Sequence, residues 1–237
     1  MIKVLELGSY ILPAYAGMVL AEQGYEVTKW TNPAGDTDPV QGLHRGGELW
    51  EWINFRKSLQ QRHVRDVTAL HAGDVDLVVD NIRSAAWDRW DIDPALEAKR
   101  LGVPWVSMRD EFDGRSFDAV AQARALMEHG DYQPYYIGDT SGGLWLAYKA
   151  IVLVQQGAVG HHILRQSSCL AKLVEGELVV AAPRANGHSA WDVPGTYGSD
   201  GEGVKVLYRG EPVVEPTRDH AWKMANLHHD GTGRIII

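Results

Sequence analysis

Six polar residues in three short stretches are the strongest candidates for chemistry in this sequence. They are Asn54, Arg56, Lys57, Asn81, Arg83 and Asp118. Arginine and lysine beside asparagine amides suit an anionic ligand such as a phosphate group. Each residue taken singly also fits an ordinary role, as a helix cap or a solvent-facing loop residue, and that is the more frequent use of such residues.

The three stretches share a position, since each follows a run with strand character. The runs are Trp50–Ile53, Val75–Val79 and Val103–Met108. Ligands of open parallel sheets bind outside the carboxyl ends of the strands. The placement therefore predicts a pocket for an anionic ligand at that edge of a sheet.

The elements that would position these residues alternate between strand and helix. The chain opens with a buried strand at Lys3–Leu7, a helix at Ala14–Gln23 and a strand at Tyr25–Trp30, which make a β-α-β unit. Further helices are predicted at 64–71, 93–99, 117–128 and 141–156. The prediction is an α/β fold, a Rossmann-like open parallel sheet with flanking helices, followed by a short β-rich or extended C-terminal segment.

The pattern changes after about residue 160, where glycine, proline, asparagine and aspartate clusters separate short runs. Strands are predicted at Leu178–Ala182 and Val204–Tyr208, with loop at Pro183–Glu202. We therefore predict an α/β domain over residues 1–165 and a small β-rich appendage or extended arm over residues 166–237.

Composition limits the classes of function. A net charge of -8 argues against nucleic acid as a partner, since phosphate backbones require clustered lysine and arginine. The single cysteine, Cys169, fits a reducing compartment and is expected to be a buried structural thiol. No apolar run is long enough to span a bilayer, and the N-terminus begins with a strand pattern. A cytoplasmic protein without membrane contact is the resulting expectation.

Several familiar sites are disfavoured. The first β-α turn, Gly8–Pro13, lacks the G-x-G-x-x-G of dinucleotide-binding folds. The adjacent histidines at 161–162 and 228–229 diverge on either a strand or a helix, so no metal site is predicted. Three tryptophans, Trp87, Trp90 and Trp105, are expected to pack in the core.

Taken in order, a series of stretches resembles the family III CoA-transferases of the CaiB/BaiF type, a group that includes formyl-CoA transferases and α-methylacyl-CoA racemases. V-L-E-L at 4–7 is similar to the family's V-L-D-L, and N-F-R-K-S at 54–58 to N-R-x-K-R-S. Further similar stretches are 18–29, 33–36, D-N-I-R at 80–83, F-D-A-V-A-Q-A at 117–123, 138–143 and 160–170.

The resemblance implies a chemistry and a ligand. Asp118 matches the family's nucleophile, a carboxylate that attacks an acyl-CoA thioester and passes through an aspartyl-CoA thioester to a carboxylic acid acceptor. Arg56, Lys57 and Arg83, with Asn54 and Asn81, would hold coenzyme A. Racemases of the group place histidine before this aspartate, where this chain has Phe117. The resemblance also implies a homodimer or a subunit of a heteromeric enzyme.

The sequence departs from the family in ways that keep two functions open. Most of the second domain is absent, the S-G-F-G-x-x-G-P segment before Asp118 is missing, and Thr31-Asn32 replaces the usual Glu-Arg. One function is a compact CoA-transferase that uses Asp118. The other is a catalytically reduced paralogue that binds CoA or supports a partner subunit. A plain helix-capping role for Asp118 is the third alternative.

Overall fold

The computed structural model describes residues 1–33, 47–110, 118–125, 136–171, 204–208 and 211–215. The strands are β1 (Lys3–Glu6), β2 (Glu26–Thr31), β3 (Ser58–Gln61), β4 (Leu77–Asp80), β5 (Pro104–Arg109), β6 (Gly160–Arg165), β7 (Val204–Tyr208) and β8 (Glu211–Glu215). The helices are α1 (Ile11–Glu22), α2 (Glu48–Asn54), α3 (Ser84–Arg89), α4 (Pro94–Leu101), α5 (Asp118–Ala125) and α6 (Ile137–Gln155). A 3-10 helix covers Val64–Ala69, and residues 166–171 are helical.

Six strands form one sheet in the order β3-β2-β1-β4-β5-β6, and every pair is parallel. The predicted α/β fold with an open parallel sheet is therefore confirmed. The strand order reverses between β1 and β4, where the β1–α1 and β4–α3 connections leave the sheet in opposite directions. This topological switch point is where open α/β sheets form a crevice outside the carboxyl ends of the strands.

The chain divides into two compact units. The first comprises Met1–Gly114 and Gly142–Arg165, and it contains the whole parallel sheet. The second comprises Arg115–Ser141 and Gln166–Ile237. It contains α5 and an antiparallel β7–β8 hairpin, whose first strand confirms the strand predicted at Val204–Tyr208. The strand and loop predicted within residues 178–202 lie outside the described residues, and the domain boundary at residue 165 stays a prediction.

Each face of the sheet is covered by helices because both faces carry apolar side chains. Leu5, Val78 and Trp105 point to one face, where they form a buried cluster with side chains of the 3-10 helix, α3 and α4. Trp87 makes edge-to-face contacts with both Trp90 and Trp105, so the expected packing role of the three tryptophans is confirmed. Helix α1 packs on β1, β2 and β4.

Local signals explain the helix bounds. Asp93 accepts a hydrogen bond from the Ala95 amide at 2.8 Å, Pro94 occupies the first turn, and Gly102 ends α4 at φ 74°. These caps start the helix at the predicted residues and extend it to Leu101, beyond the predicted end at residue 99.

The strand expected at Trp50–Ile53 is wrong, because this segment lies in helix α2. Gly47 is the N-cap and acidic residues occupy the first turn, which favours a helix, and the buried side chains Trp50, Ile53 and Asn54 recur at helical spacing. The strand of this region is β3, which follows the polar stretch. The stretch at 54–57 therefore precedes a strand, and does not extend from a carboxyl end of the sheet.

Candidate active site

Asp118 is the first residue of α5, and its carboxylate is buried with 5% of the residue exposed. Oδ1 accepts hydrogen bonds from two backbone amides, Gly138 N at 2.6 Å and Asp139 N at 3.0 Å. Oδ2 accepts one from Gln122 Nε2 at 2.6 Å, one turn along the same helix. All these partners donate, and an ionised carboxylate only accepts, so the geometry suits the charged form that a nucleophile requires.

The two backbone donors belong to the first turn of α6, where amide groups have no partner within the helix. Gly138 allows the close approach, because a Cβ at that position would lie 2.9 Å from both Ala121 Cβ and the Asp118 carbonyl oxygen. Asp139 is itself buried, and its Oδ1 accepts a hydrogen bond from Gln166 Nε2 at 2.7 Å. These residues all belong to the second unit and form one hydrogen-bonded group around Asp118.

Two roles are compatible with this geometry. A carboxylate at a helix N-terminus stabilises that helix through its free amides and its dipole, so Asp118 could cap α6 and do nothing more. The same two amides would also hold negative charge that develops on an oxygen bound to Cγ, as oxyanion holes do.

Lys57 and Asn54 lie in the first unit, within a buried ionic cluster. Lys57 Nζ donates to Glu6 Oε2 at 2.8 Å, to the Ala14 carbonyl at 2.6 Å and to Asn54 Oδ1 at 3.2 Å. Lys29 Nζ lies 2.5 Å from Glu6 Oε1. The Glu6 and Lys57 side chains have no exposed surface. Lys57 thus uses all three of its ammonium protons inside the fold, and Asn54 Nδ2 donates to the Trp50 carbonyl at 2.9 Å.

Burial and charge act against each other in this cluster, which carries two lysines and one glutamate. Burial disfavours the charged form of Glu6, yet the two ammonium groups more than offset it, so the pKa of Glu6 lies below its usual value. Burial is the largest effect on Lys57 and lowers its pKa to about 8, against the attraction of Glu6. A Cβ on Gly17 would lie 1.9 Å from Glu6 Oε2, so glycine is required there for α1 to approach the cluster.

Arg56 differs from Asn54 and Lys57, because its side chain is exposed. Its guanidinium carbon lies 5.6 Å from the centre of the Phe55 ring, and Phe55 is 66% exposed. The Arg56 backbone has φ 69°, the left-handed region that non-glycine residues seldom adopt. An exposed arginine beside an exposed aromatic ring can contact an anionic or aromatic ligand.

Asn81 lies at the topological switch point of the sheet. Its Oδ1 accepts from Ser9 N at 3.2 Å and its Nδ2 donates to Ser9 O at 2.9 Å, so it joins the turns after β4 and β1. Gly8 makes this pairing possible, with φ 106° and no room for a Cβ, which would lie 2.1 Å from Asn81 Oδ1. Arg83 precedes α3 as its N-cap residue and is half-buried.

The predicted residues therefore fall into separate groups. Asn54 and Lys57 contact each other within the core, Arg56 is exposed, and Asn81 and Arg83 follow β4 at the switch point. Asp118 is in the second unit.

Sequence reasoning missed a buried polar network that crosses β4, β5 and β6. Asp80 has no exposed surface, and it accepts from Trp105 Nε1 at 2.6 Å, from Arg109 Nη1 at 2.7 Å and from the Ser107 hydroxyl. Ser107 Oγ also lies 2.8 Å from His161 Nε2. The signal was the alternation of polar residues along W-V-S-M-R at 105–109, which places all three side chains on one face of β5.

The network determines which ring nitrogen of His161 carries a proton. Ser107 donates its only proton to Asp80 and accepts from Arg109 Nη2 at 2.9 Å, so His161 Nε2 must donate to it. Burial lowers the pKa of His161, with Asp80 raising it and Arg109 lowering it further. Ser107 is fully buried and donates its proton to Asp80. The Ser107–His161 pair therefore has a structural role and does not resemble a nucleophile and its base.

Three other observations bear on the sequence expectations. Cys169 is buried, as expected. Within the described residues, no group of three histidine, cysteine, aspartate or glutamate side chains could hold a metal ion. The helices of the described part of the chain include none with the length and apolarity needed to cross a membrane.

The class of protein that emerges is an α/β protein with a six-stranded parallel sheet and a buried aspartate held at a helix N-terminus. Comparison with known proteins shows what the chain is similar to. Residues 1–100 match the family described as CoA-transferase family III. A succinyl-CoA–D-citramalate CoA-transferase from Chloroflexus aurantiacus is 28% identical over 185 residues, which cover 65% of this chain and 44% of that protein. Over these residues the chain resembles the family III CoA-transferases of the CaiB/BaiF type.

Solved structures agree on the fold. A CaiB/BaiF family protein from Brucella suis matches with a TM-score of 0.62 and 15% identity, over 76% of this chain and 57% of that one. A hypothetical protein from Mycobacterium tuberculosis matches with a TM-score of 0.55 and 18% identity, over 78% of this chain and 58% of that one. This chain therefore spans less than half of the curated relative and under three-fifths of these structures.

Proposed function

We propose that this chain is a CoA-transferase that moves CoA from an acyl-CoA thioester to a carboxylic acid, with Asp118 as the nucleophile. The observation that carries the proposal is the setting of Asp118, a buried carboxylate with hydrogen-bond donors on both oxygens, two of them backbone amides at the start of α6. The match of residues 1–100 to CoA-transferase family III supports the reaction class, and the donors would stabilise charge on the aspartyl group.

In the proposed reaction, Asp118 attacks the thioester carbon and releases CoA thiolate, leaving a mixed anhydride. The thiolate then attacks Cγ of Asp118 and expels the donor acid, which gives an aspartyl-CoA thioester. The acceptor acid reverses the two steps and leaves as the new thioester. The burial of Asp118 supports this sequence, because it limits access of water to the anhydride and the thioester.

For CoA itself we propose Arg56 and Arg83 as the contacts to phosphate, since neither guanidinium is enclosed in the core. Asn81 would shape the ligand crevice by joining the two turns at the switch point. Lys57 and Asn54 would act indirectly, because their polar groups bind Glu6, Ala14, Trp50 and each other and thereby hold the turn that presents Arg56.

The test is to trap the aspartyl intermediate. The protein is incubated with succinyl-CoA, the donor in the name of the Chloroflexus relative, and then with hydroxylamine or borohydride. Mass spectrometry should locate the adduct on Asp118. The adduct should be absent from Asp118→Asn and unchanged in Asp88→Asn, an exposed aspartate of α3. Absence of an adduct from the wild-type protein under turnover conditions would refute the proposal.

A second function is supported by the sequence before Asp118, which lacks the S-G-F-G-x-x-G-P segment that the family places ahead of its nucleophile. In this alternative the protein binds CoA, or stabilises a partner subunit, without forming an aspartyl adduct. Binding of CoA measured by calorimetry, with loss in Arg83→Ala but not in the exposed α3 control Arg89→Ala, would support it if no adduct forms.

Assembly and location are further parts of the proposal. We expect a homodimer or a heteromeric complex, as the family resemblance implies, and light scattering that shows a stable monomer would remove this expectation. A cytoplasmic location is supported by the single cysteine. Export of the tagged protein to an oxidising compartment would contradict it.

A further inference from the structure

The two oxygens of the Asp118 carboxylate are held in different ways. Oδ1 binds the Gly138 and Asp139 backbone amides, which cannot leave it without movement of α6. Oδ2 binds the Gln122 side-chain amide, which can rotate away while the backbone stays in place. Gln122 is 2% exposed and lies four residues after Asp118 on α5, so the helix itself keeps its amide beside Oδ2.

The proposed reaction treats the two oxygens differently if the carboxylate keeps its orientation. When one oxygen attacks the thioester carbon, a C–O bond forms and the C–S bond breaks, with the electron pair leaving on sulfur. When the thiolate attacks Cγ, a C–S bond forms and the bond from Cγ to that same oxygen breaks. The oxygen leaves with the donor acid, and the acceptor acid later supplies its replacement. The other oxygen stays on Cγ throughout and carries the negative charge of each tetrahedral intermediate at Cγ.

We propose that Oδ2 is the oxygen exchanged at every turnover, that Oδ1 is retained, and that Gln122 prevents the two from changing places. This inference rests on the proposed function. Oδ1 fits the retained role because the two amide donors already surround the atom on which charge develops. Oδ2 fits the exchanged role because its donor is a side chain, which can follow a leaving and an entering oxygen.

Interchange of the oxygens requires a half-turn of the carboxylate about the Cβ–Cγ bond. Such a turn breaks the hydrogen bonds to Gly138, Asp139 and Gln122 together, and of these three the Gln122 contact can be removed without altering the backbone. Gln122 is therefore a residue that touches a reacting atom, and its contribution can be separated from that of α6.

Isotope labelling tests whether one oxygen of Asp118 is retained through turnover. The protein is turned over several times with succinyl-CoA and succinate whose carboxylates carry ¹⁸O, and the peptide containing Asp118 is weighed by mass spectrometry. We expect one heavy oxygen in Asp118, however many turnovers have occurred. Two heavy oxygens in the wild-type peptide would overturn the inference, because both positions would then have exchanged. No heavy oxygen at all would refute the proposed function, since no acceptor oxygen would have reached Asp118.

The role of Gln122 is tested with Gln122→Met, which keeps the length of the side chain and removes the donor. Its Asp118 peptide should gain a second heavy oxygen as turnovers accumulate. The matched control is Gln155→Met on the exposed end of α6, which should keep the single label. A single label in Gln122→Met at an equal number of turnovers would overturn the role given to Gln122. If this variant does not fold, Gln122→Leu removes the donor with a shorter apolar side chain and is read in the same way.

Discussion

Replacement of Lys57 by methionine should change how the stability of this protein depends on pH. Lys57 titrates with a pKa of about 8 in the folded chain, against 10.5 for an ordinary lysine, because burial of its ammonium group outweighs its attraction to Glu6. A lysine whose folded pKa is depressed contributes stability that is fully present above the unfolded pKa and lost as the pH falls through the folded pKa.

The magnitude follows from the difference between the two pKa values. Since one pKa unit corresponds to about 1.4 kcal/mol, the free energy of unfolding of the wild-type protein should rise by about 3 kcal/mol from below pH 8 to above pH 10.5 through Lys57 alone. The side chain has no exposed surface, so solvent screening does not reduce this value much. Lys57→Met removes the titrating group and should remove this rise.

The assay is urea unfolding at a series of pH values from below 8 to 10.5 for three proteins. These are the wild type, Lys57→Met, and the control Lys99→Met, an exposed lysine of α4. Other groups titrate in the same range, so the informative quantity is the wild-type slope minus the variant slope. Equal slopes of unfolding free energy against pH in wild type and Lys57→Met would refute the reasoning. The pKa of Lys57 would then not be lowered in the folded protein.

Three other substitutions test the remaining buried groups. Glu6→Gln leaves two buried ammonium groups without their carboxylate, so urea unfolding should show a free energy of unfolding lower by about 3–5 kcal/mol. This loss should exceed that of Lys57→Met at neutral pH. A smaller loss than in Lys57→Met would contradict the pairing of both lysines with Glu6. Gly138→Ala forces a Cβ to 2.9 Å from the Asp118 carbonyl oxygen. It should lower the free energy of unfolding in urea by about 1–3 kcal/mol and reduce the yield of trapped adduct. If neither value changes, the close contact at Gly138 is excluded. Asp80→Asn leaves the buried Arg109 guanidinium without its counter-ion and should lower the free energy of unfolding by about 3–5 kcal/mol. An unchanged urea midpoint would show that Asp80 and Arg109 do not form this ion pair.

Much of the alternation of strand and helix in the first unit was accessible from the sequence, because many of its elements have a local signal. Runs such as V-D-L-V-V-D end in buried strands, and Asp93, Pro94 and Gly102 mark a helix at both ends. Helix α2 was misassigned because apolar residues at 50, 52 and 53 of W-E-W-I fit both a short strand and one helical turn, and only the packing of Trp50 and Ile53 decides between them.

The candidate site was only partly accessible. Asp118 could be selected because it opens a helix within a family-like motif, and Gln122 belongs to the same motif. Its backbone donors at Gly138 and Asp139 could not be chosen, because they are contacts between residues about twenty positions apart. Lys57 was assigned to a ligand because it belongs to a family-like polar stretch that was expected to follow a strand. The partner that buries it, Glu6, lies far away in the sequence, on β1.

The family-like motifs of the first hundred residues contribute first to the fold. Glu6, Lys29 and Lys57 come from three separate family-like stretches, and in the structure they bind one another in a single buried cluster. These stretches all lie within residues 1–100, the part matched by the family, whereas Asp118 lies beyond it. The match over the first hundred residues therefore includes residues that hold the parallel sheet together. It does not depend on whether Asp118 acts as a nucleophile. Binding of CoA would test the sheet and its switch point, but only an adduct on Asp118 tests the enzyme.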